Sequence, residues 1–246
     1  MAAARNVLQE LAPTGRIRAA INFGNPVLAQ KDAVTGEPWG VSVDIASELS
    51  RRTGIALEFV TFDAAGKVFA ALAQDKWDVA FLAIDPNRAK ELDFTAPYVI
   101  IEGAYMVPTG SPITCIDEVD RAGVRIAVAA GSAYDLYLTR TIEAAELVRA
   151  PTGPQAIEMF LRDRLEVAAG VKSPLQRFAH NRADVRVLDG RFMVIEQAMA
   201  VPKGRTRALR YLRPLVEELK ASGFVAGGLA RSGRQEARVA PATRDA

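Results

Sequence analysis

Residues 78–98 read DVAFLAIDPNRAKELDFTAPY. Five apolar residues, Val79 to Ala83, follow an aspartate without polar interruption. A short apolar run bounded by turn formers reads as a strand buried on both faces. Asp85, Pro86 and Asn87 end it with turn chemistry. Arg88 then stands just past the strand end. Its planar guanidinium suits a carboxylate through two parallel hydrogen bonds. A surface arginine paired with Glu91 or Asp85 is the competing reading.

Strand-like and helix-like segments alternate on both sides of this stretch, which argues for an α/β fold. Upstream, Arg16 to Phe23 reads as a first strand, followed by a turn-rich loop from Gly24 to Pro38. Val41 to Thr53 reads as an amphipathic helix, with Val43, Ile45, Ala46 and Leu49 on one face and Gly54 placed to end it. Ala56 to Phe62 is a second strand, Lys67 to Gln74 a helix, and Trp77 to Ala83 a third strand. The same rhythm recurs about a hundred residues later. Val124 to Ala129 is a strand, Ala133 to Thr141 a helix, Glu146 to Ala150 a strand and Gly153 to Asp163 a helix. Glu166 to Gly170 is another strand, then a helix runs through His180 and Val185 to Leu188 follows. Val194 to Val201 is extended and Arg205 to Ser222 is a long helix. Gly223, Gly227 and Gly228 read as its punctuation, and residues after about 231 as a frayed tail.

Two lobes of similar build follow from this repetition. Lobe 1 is expected to comprise residues 1–106 and 195–246, with lobe 2, residues 107–194, inserted. Two extended linkers, Glu102 to Pro108 and Val194 to Val201, cross between them. A ligand site is expected between the lobes, at the carboxyl ends of the strands.

Composition narrows the chemistry. The 246 residues carry a net charge of +2 and are half hydrophobic, too apolar for disorder. Ten basic and four acidic residues after position 202 give that region +6, against −4 for the rest. This asymmetry reads as a basic terminal helix and tail, and no clustered face calls for nucleic acid. Cys115 is the only cysteine and His180 the only histidine. An intrachain disulfide, a cysteine-rich metal site and a histidine-pair motif are thereby excluded, and no metal or cofactor is expected. Cys115 reads as a small buried residue and His180 as a surface one. No run approaches the length of a membrane span. Glu10 and Pro13 interrupt the apolar core a signal peptide would need. Either the export signal has been removed from this chain or the protein is not exported.

The motifs now assembled resemble a known family. Arg88-Ala89-Lys90 followed by Asp93-Phe94-Thr95-Ala96-Pro97-Tyr98 matches its "RA…DFS.PY". Gly40-Val41-Ser42-Val43-Asp44-Ile45-Ala46 matches "GfdvDla", Trp77-Asp78-Val79-Ala80 matches "..vDva", and Val128-Ala129-Ala130-Gly131-Ser132 matches the second-lobe "va...Gt". The sequence is similar, over roughly residues 14–230, to the ABC-transporter solute-binding proteins of the polar amino-acid class, the extracellular solute-binding family 3. The resemblance implies a type 2 periplasmic-binding clamp with two hinge strands, closing on a small ligand. It implies Arg88 as the carboxylate anchor, with Ser132 offering its hydroxyl and N–H at a helix N-terminus. Ser132 as a plain helix cap is the alternative.

Departures from the pattern bear on the ligand. Ala83 stands where α-amino-acid binders have a hydroxyl residue, and Asp85 where they often have threonine. Val171, followed by Lys172, stands where an aspartate usually holds the ligand ammonium. An ammonium desolvated without an acid is costly. Asp85 supplies that charge or pairs with Arg88, or the ligand is a carboxylate without an amine. Lys172 is then available to a second anionic group, or is a solvated surface lysine. Asn22, Phe23 and Asn25 occupy the ligand-facing loop, and Phe23 or Trp39 replaces the usual aromatic. Ala133 and Tyr134 follow Ser132, and Gln197 lies on the return linker. Lys67 and Asp44 read as surface and helix-terminal residues.

The leading expectation is a non-catalytic, monomeric binding module that captures a small carboxylate for an ABC-transporter permease. The resemblance implies a periplasmic setting. A cytoplasmic sensor or scavenger on the same fold is the alternative. An enzyme like cyclohexadienyl dehydratase, a relative in the resemblance, is a third reading; it needs a general acid in the cleft, for which Asp85 is the main candidate.

Overall fold

The computed structural model describes residues 2–234 and 236–243. In chain order it contains α1 (Ala2–Leu11), β1 (Ile17–Asn22), β2 (Gln30–Lys31), β3 (Pro38–Trp39), α2 (Val41–Thr53), β4 (Leu57–Phe62), α3 (Ala65–Ala70) and β5 (Val79–Ala83). Next come β6 (Leu92–Pro108), β7 (Arg125–Ala129), α4 (Ala133–Thr141), β8 (Glu146–Ala150), α5 (Gly153–Arg162), β9 (Val167–Val171) and α6 (Lys172–His180). The chain continues through β10 (Val185–Val187), β11 (Met193–Pro202), α7 (Thr206–Ala221), α8 (Phe224–Arg231) and β12 (Arg238–Val239). It divides into two compact units, residues 1–100 with 196–246, and residues 101–195. Both β6 and β11 are unbroken strands that continue through a division point, so no turn signal in the sequence marks it.

In the first unit β1 lies between β4 and β5, parallel to both. The outer edge of β5 is closed by antiparallel β11, with Gln197 opposite Ala83. All five residues of β5 are buried, as expected for a strand covered on both faces. The core holds Trp77, Val68, Leu82 and Leu92, and the Trp77 indole N–H donates to the Val68 carbonyl at 2.8 Å. Beneath β5, the fully buried Asp78 carboxylate accepts from Arg18 Nε and Nη2, each at 2.9 Å, and from Arg205 Nη1 at 2.9 Å. The aspartate of the "..vDva" motif is therefore a structural tie between β1, β5 and the start of α7. Glu10 of α1 caps α7, its Oε2 accepting from the Arg207 and Ala208 amides at 2.8 and 3.0 Å.

In the second unit β7 lies between β8 and β9, parallel to both, while β9 runs antiparallel to β6. One core cluster includes Tyr105, Ile126, Val128, Leu138 and Val167; another includes Met106, Phe160, Ala168 and Leu175. Tyr105 and Phe192 stack with ring centroids 4.3 Å apart. Gly103 leaves room for that ring, because a Cβ there would meet Phe192 Cζ at 3.0 Å and Met193 Cγ at 2.7 Å.

Three expectations are corrected. Gly227 and Gly228 lie inside α8 and do not end a helix. At Gly228 a Cβ would meet Asp44 Oδ2 at 2.9 Å and Val41 Cγ2 at 3.2 Å, so the glycine lets α8 pack against α2. The tail past residue 231 is ordered at 236–243: β12 pairs antiparallel with β6, Val239 opposite Val99. Lys220 Nζ, nearly buried, donates to the Pro97 and Pro241 carbonyls and pairs with Glu217, fastening that tail. Cys115 is exposed, in the loop before a short 3₁₀ turn. Residues 235 and 244–246 of the expected tail lie outside the described residues. Among the described residues, no helix is long and apolar enough to cross a membrane.

Candidate functional site

Because β1, β4 and β5 are parallel, their carboxyl ends share one edge of the first unit. Open α/β sheets bind ligands at that edge. Ala83 ends β5, and the chain then turns sharply. Asp85 Oδ1 accepts from the Asn87 amide at 2.8 Å and the Arg88 amide at 3.4 Å, while its carbonyl accepts from Ala89 at 2.9 Å. This side-chain-capped turn starts a single 3₁₀ turn at Arg88–Lys90 and brings the guanidinium back to the strand. Arg88 Nη1 donates to the Ala83 carbonyl at 3.0 Å. The position that lacks a side-chain hydroxyl thus contributes through its backbone. Arg88 is 1% exposed, and burial pushes its guanidinium down to about 10 against the opposing charge of Asp85. It remains a cation at neutral pH.

The neighbouring loop uses its polar side chains on itself. Asn22 Oδ1 accepts from the Gly24 amide at 2.9 Å, and the buried Asn25 Oδ1 accepts from the Val27 amide at 3.3 Å. The Asn25 carbonyl takes the Leu28 and Ala29 amides. Phe23 is half-buried and its amide donates to Phe62. Trp39 is 38% exposed on the β2–β3 hairpin, opposite Gln30. Lys67 pairs with Asp63 at 2.7 Å on the surface. Asp44 bonds Arg231 at 2.7 Å, consistent with a helix-terminal role. Gln197 is buried opposite Ala83.

In the second unit the carboxyl ends of β8, β7 and β9 likewise share an edge, and each leads into a helix: α5, α4 and α6. Ser132 is the N-cap of α4, its Oγ accepting from the Asp135 amide at 3.1 Å. Asp135 reaches back to the Gly131 amide at 2.8 Å and holds Arg149 Nε at 2.9 Å. The capping reading of Ser132 is therefore realised, and its amide donates to the Ala129 carbonyl at 3.1 Å. The Ser132 hydroxyl also hydrogen-bonds the Tyr134 phenol, and the first-turn amides of Ala133 and Tyr134 have no acceptor within the helix by geometry. Tyr134 is buried, which pushes its phenol up to about 12.

Val171 closes β9 as a half-buried residue in register with Gly103, and Lys172 is the first residue of α6. Lys172 Nζ lies 3.0 Å from Glu102 Oε2, and Arg191 Nη1 lies 2.7 Å from Glu102 Oε1. Burial would raise the Glu102 carboxyl; the hydrogen bonds from Lys172 and then Arg191 outweigh it and hold it low. Glu102 is absent from the expected site. Its sequence signal is an acid alone within the apolar run VIIEGAYMV of β6.

A sequence model of the bacterial extracellular solute-binding proteins, family 3, matches residues 17–228. The chain belongs to this family. The L-cystine-binding protein TcyJ of Escherichia coli (strain K12) is 24% identical over 200 residues, covering 76% of this solute-binding protein and 71% of TcyJ. The solute receptor for L-cysteine of Neisseria gonorrhoeae matches with a TM-score of 0.79 at 21% identity, covering 92% of each chain. A mutant of ArgBP from T. maritima matches at 0.78 and 22% identity, over 92% of this chain and 99% of that one. The ancestral amino-acid-binding protein AncCDT-1, a precursor of cyclohexadienyl dehydratase, matches at 0.75 and 21%, over 91% and 98%. The fold is the two-lobed type 2 periplasmic-binding architecture. This protein is thus a bacterial extracellular solute-binding protein of family 3.

Proposed function

We propose that this solute-binding protein captures a small carboxylate-bearing molecule outside the cytoplasmic membrane and delivers it, as a monomer and without catalysis, to an ABC-transporter permease. Arg88 holds the carboxylate. Ser132, with the first-turn amides of Ala133 and Tyr134, adds donors from the second unit, and Asn22, Phe23, Asn25 and Gln197 shape the surroundings. The observation that carries this reading is the Arg88 guanidinium, buried at the carboxyl end of β5 and aimed by Ala83 and the Asp85 turn. A cation fixed by strand-end backbone is preorganised for a planar anion. Asp85 caps its turn and faces Arg88, a positioning task rather than that of a general acid.

Arg88→Ala is expected to abolish carboxylate binding while keeping the fold. Isothermal titration of wild type and variant with the best ligand from a thermal-shift panel of carboxylates and amino acids tests it. Affinity within threefold of wild type would overturn the assignment. One observation favours a second reading: the likeness to AncCDT-1, a precursor of cyclohexadienyl dehydratase. Product absorbance on mixing the protein with prephenate or arogenate decides that reading.

A further inference from the structure

We infer that the ligand carries a second anionic group, read by Lys172, and that Glu102 is the internal counter-ion this group displaces. The inference rests on the carboxylate reading above and names the class of solute.

Glu102 is shared by two cations, Lys172 at 3.0 Å and Arg191 at 2.7 Å. One carboxylate between two cations leaves a surplus positive charge. Lys172 and Glu102 are each about one quarter exposed and Arg191 about half, so water screens the lysine side of the cluster least. The cluster is also positioned for recognition. Lys172 follows β9 directly, and Ser132, the cap of α4, follows the neighbouring parallel strand β7, so both stand at the carboxyl edge of this sheet. Helices α4, α5 and α6 all begin along that edge.

The lysine is placed against its local field. A cation in the first turn of a helix opposes the helix dipole, which favours anions there. Among the described contacts, Glu102 is what offsets it, and Glu102 comes from a strand seventy residues earlier rather than from α6 itself. An incoming anion can take Lys172 while Glu102 keeps Arg191 through its other oxygen. Every charge then has a partner before and after exchange, and the surplus is neutralised only in the bound state. An ammonium at the same place would meet Lys172, a like charge.

The test uses the full chain and defined probes. Succinate and glutarate are compared by calorimetry with butyrate and valerate, their monocarboxylate counterparts, and with L-norvaline, valerate's α-amino counterpart. The expected result is dicarboxylate binding about tenfold or more tighter than the matched monocarboxylate, the worth of one charge-assisted hydrogen bond. Lys172→Gln should erase that margin and Lys172→Arg should keep it. Glu102→Gln should widen it, because the internal competitor is gone. Melting by circular dichroism checks that each variant folds. The inference is overturned if the wild-type margin is absent, if Lys172→Gln keeps it, or if norvaline binds tighter than valerate. It is also overturned if Glu102→Gln weakens dicarboxylates as Lys172→Gln does, since that is what a merely structural salt bridge predicts. Failure of the underlying reading looks different: no probe of any kind binds, or Arg88→Ala leaves dicarboxylate binding intact.

Discussion

Asp78→Asn removes the one negative charge at the centre of a buried ionic cluster in the first unit. The carboxylate is fully buried and receives both the fork of Arg18 and one arm of Arg205. Those guanidinium groups are 14% and 18% exposed, so neither regains full hydration when its partner is lost. Breaking one side of a buried ion pair costs about 3–5 kcal/mol. Arg18 and Arg205 both keep the exposed Asp75 as a partner, which argues for the lower end, about 3 kcal/mol. For a chain of this size each kcal/mol moves Tm by roughly 2–4 °C, so a fall of about 6–12 °C is expected. Thermal melts and urea titrations followed by circular dichroism read this directly. A fall of less than about 2 °C would refute the reasoning, because it would mean the arginines are stabilised without the acid. Arg205→Ala serves as the internal comparison: it should cost less, since Asp78 keeps the two-pronged Arg18 contact.

Two further outcomes concern stability. Gly40→Ala should destabilise by about 2 kcal/mol or more, because the residue sits at φ 120° and its new Cβ would lie 2.6 Å from the Leu28 carbonyl oxygen; a Tm within 2 °C of wild type would contradict it. Glu48 is held at about 2, below its ordinary 4.5, chiefly by hydrogen bonds from Arg51 and then Arg52. The unfolded chain therefore binds this proton more readily, so the contribution is present above pH 4.5 and is lost as pH falls toward 2. Glu48→Gln should flatten Tm against pH across that window, and an unchanged slope would rule the contribution out.

The elements were legible where local chemistry decides them. Helix α2 carries its apolar spacing and ends at Gly54, whose φ of 69° only a glycine adopts cheaply. Helix α4 is announced by Ser132, whose hydroxyl does cap it. What the sequence could not show depends on distant partners. Gly228 looks like a helix stop until Asp44 and Val41, far back in the chain, are seen to need its missing side chain. Residues 236–243 look frayed because β12 is only two residues long, and it is held by β6 and Lys220 rather than by its own propensity. At the candidate site, Arg88 was legible from its place after a buried strand. The engagement of Lys172 by Glu102 was not, since nothing local links the two residues.

The late arrival of β11 has a consequence for biosynthesis. The open edge of β5 stays unpaired until residues 196–202 emerge from the ribosome, after the whole second unit has been made. At about 5–20 residues per second that interval is on the order of ten seconds. The second unit is continuous and can fold while it waits, whereas the first presents a bare, entirely apolar strand edge throughout. The nascent chain is therefore most exposed to aggregation, and most in need of a chaperone, between completion of β5 and synthesis of β11.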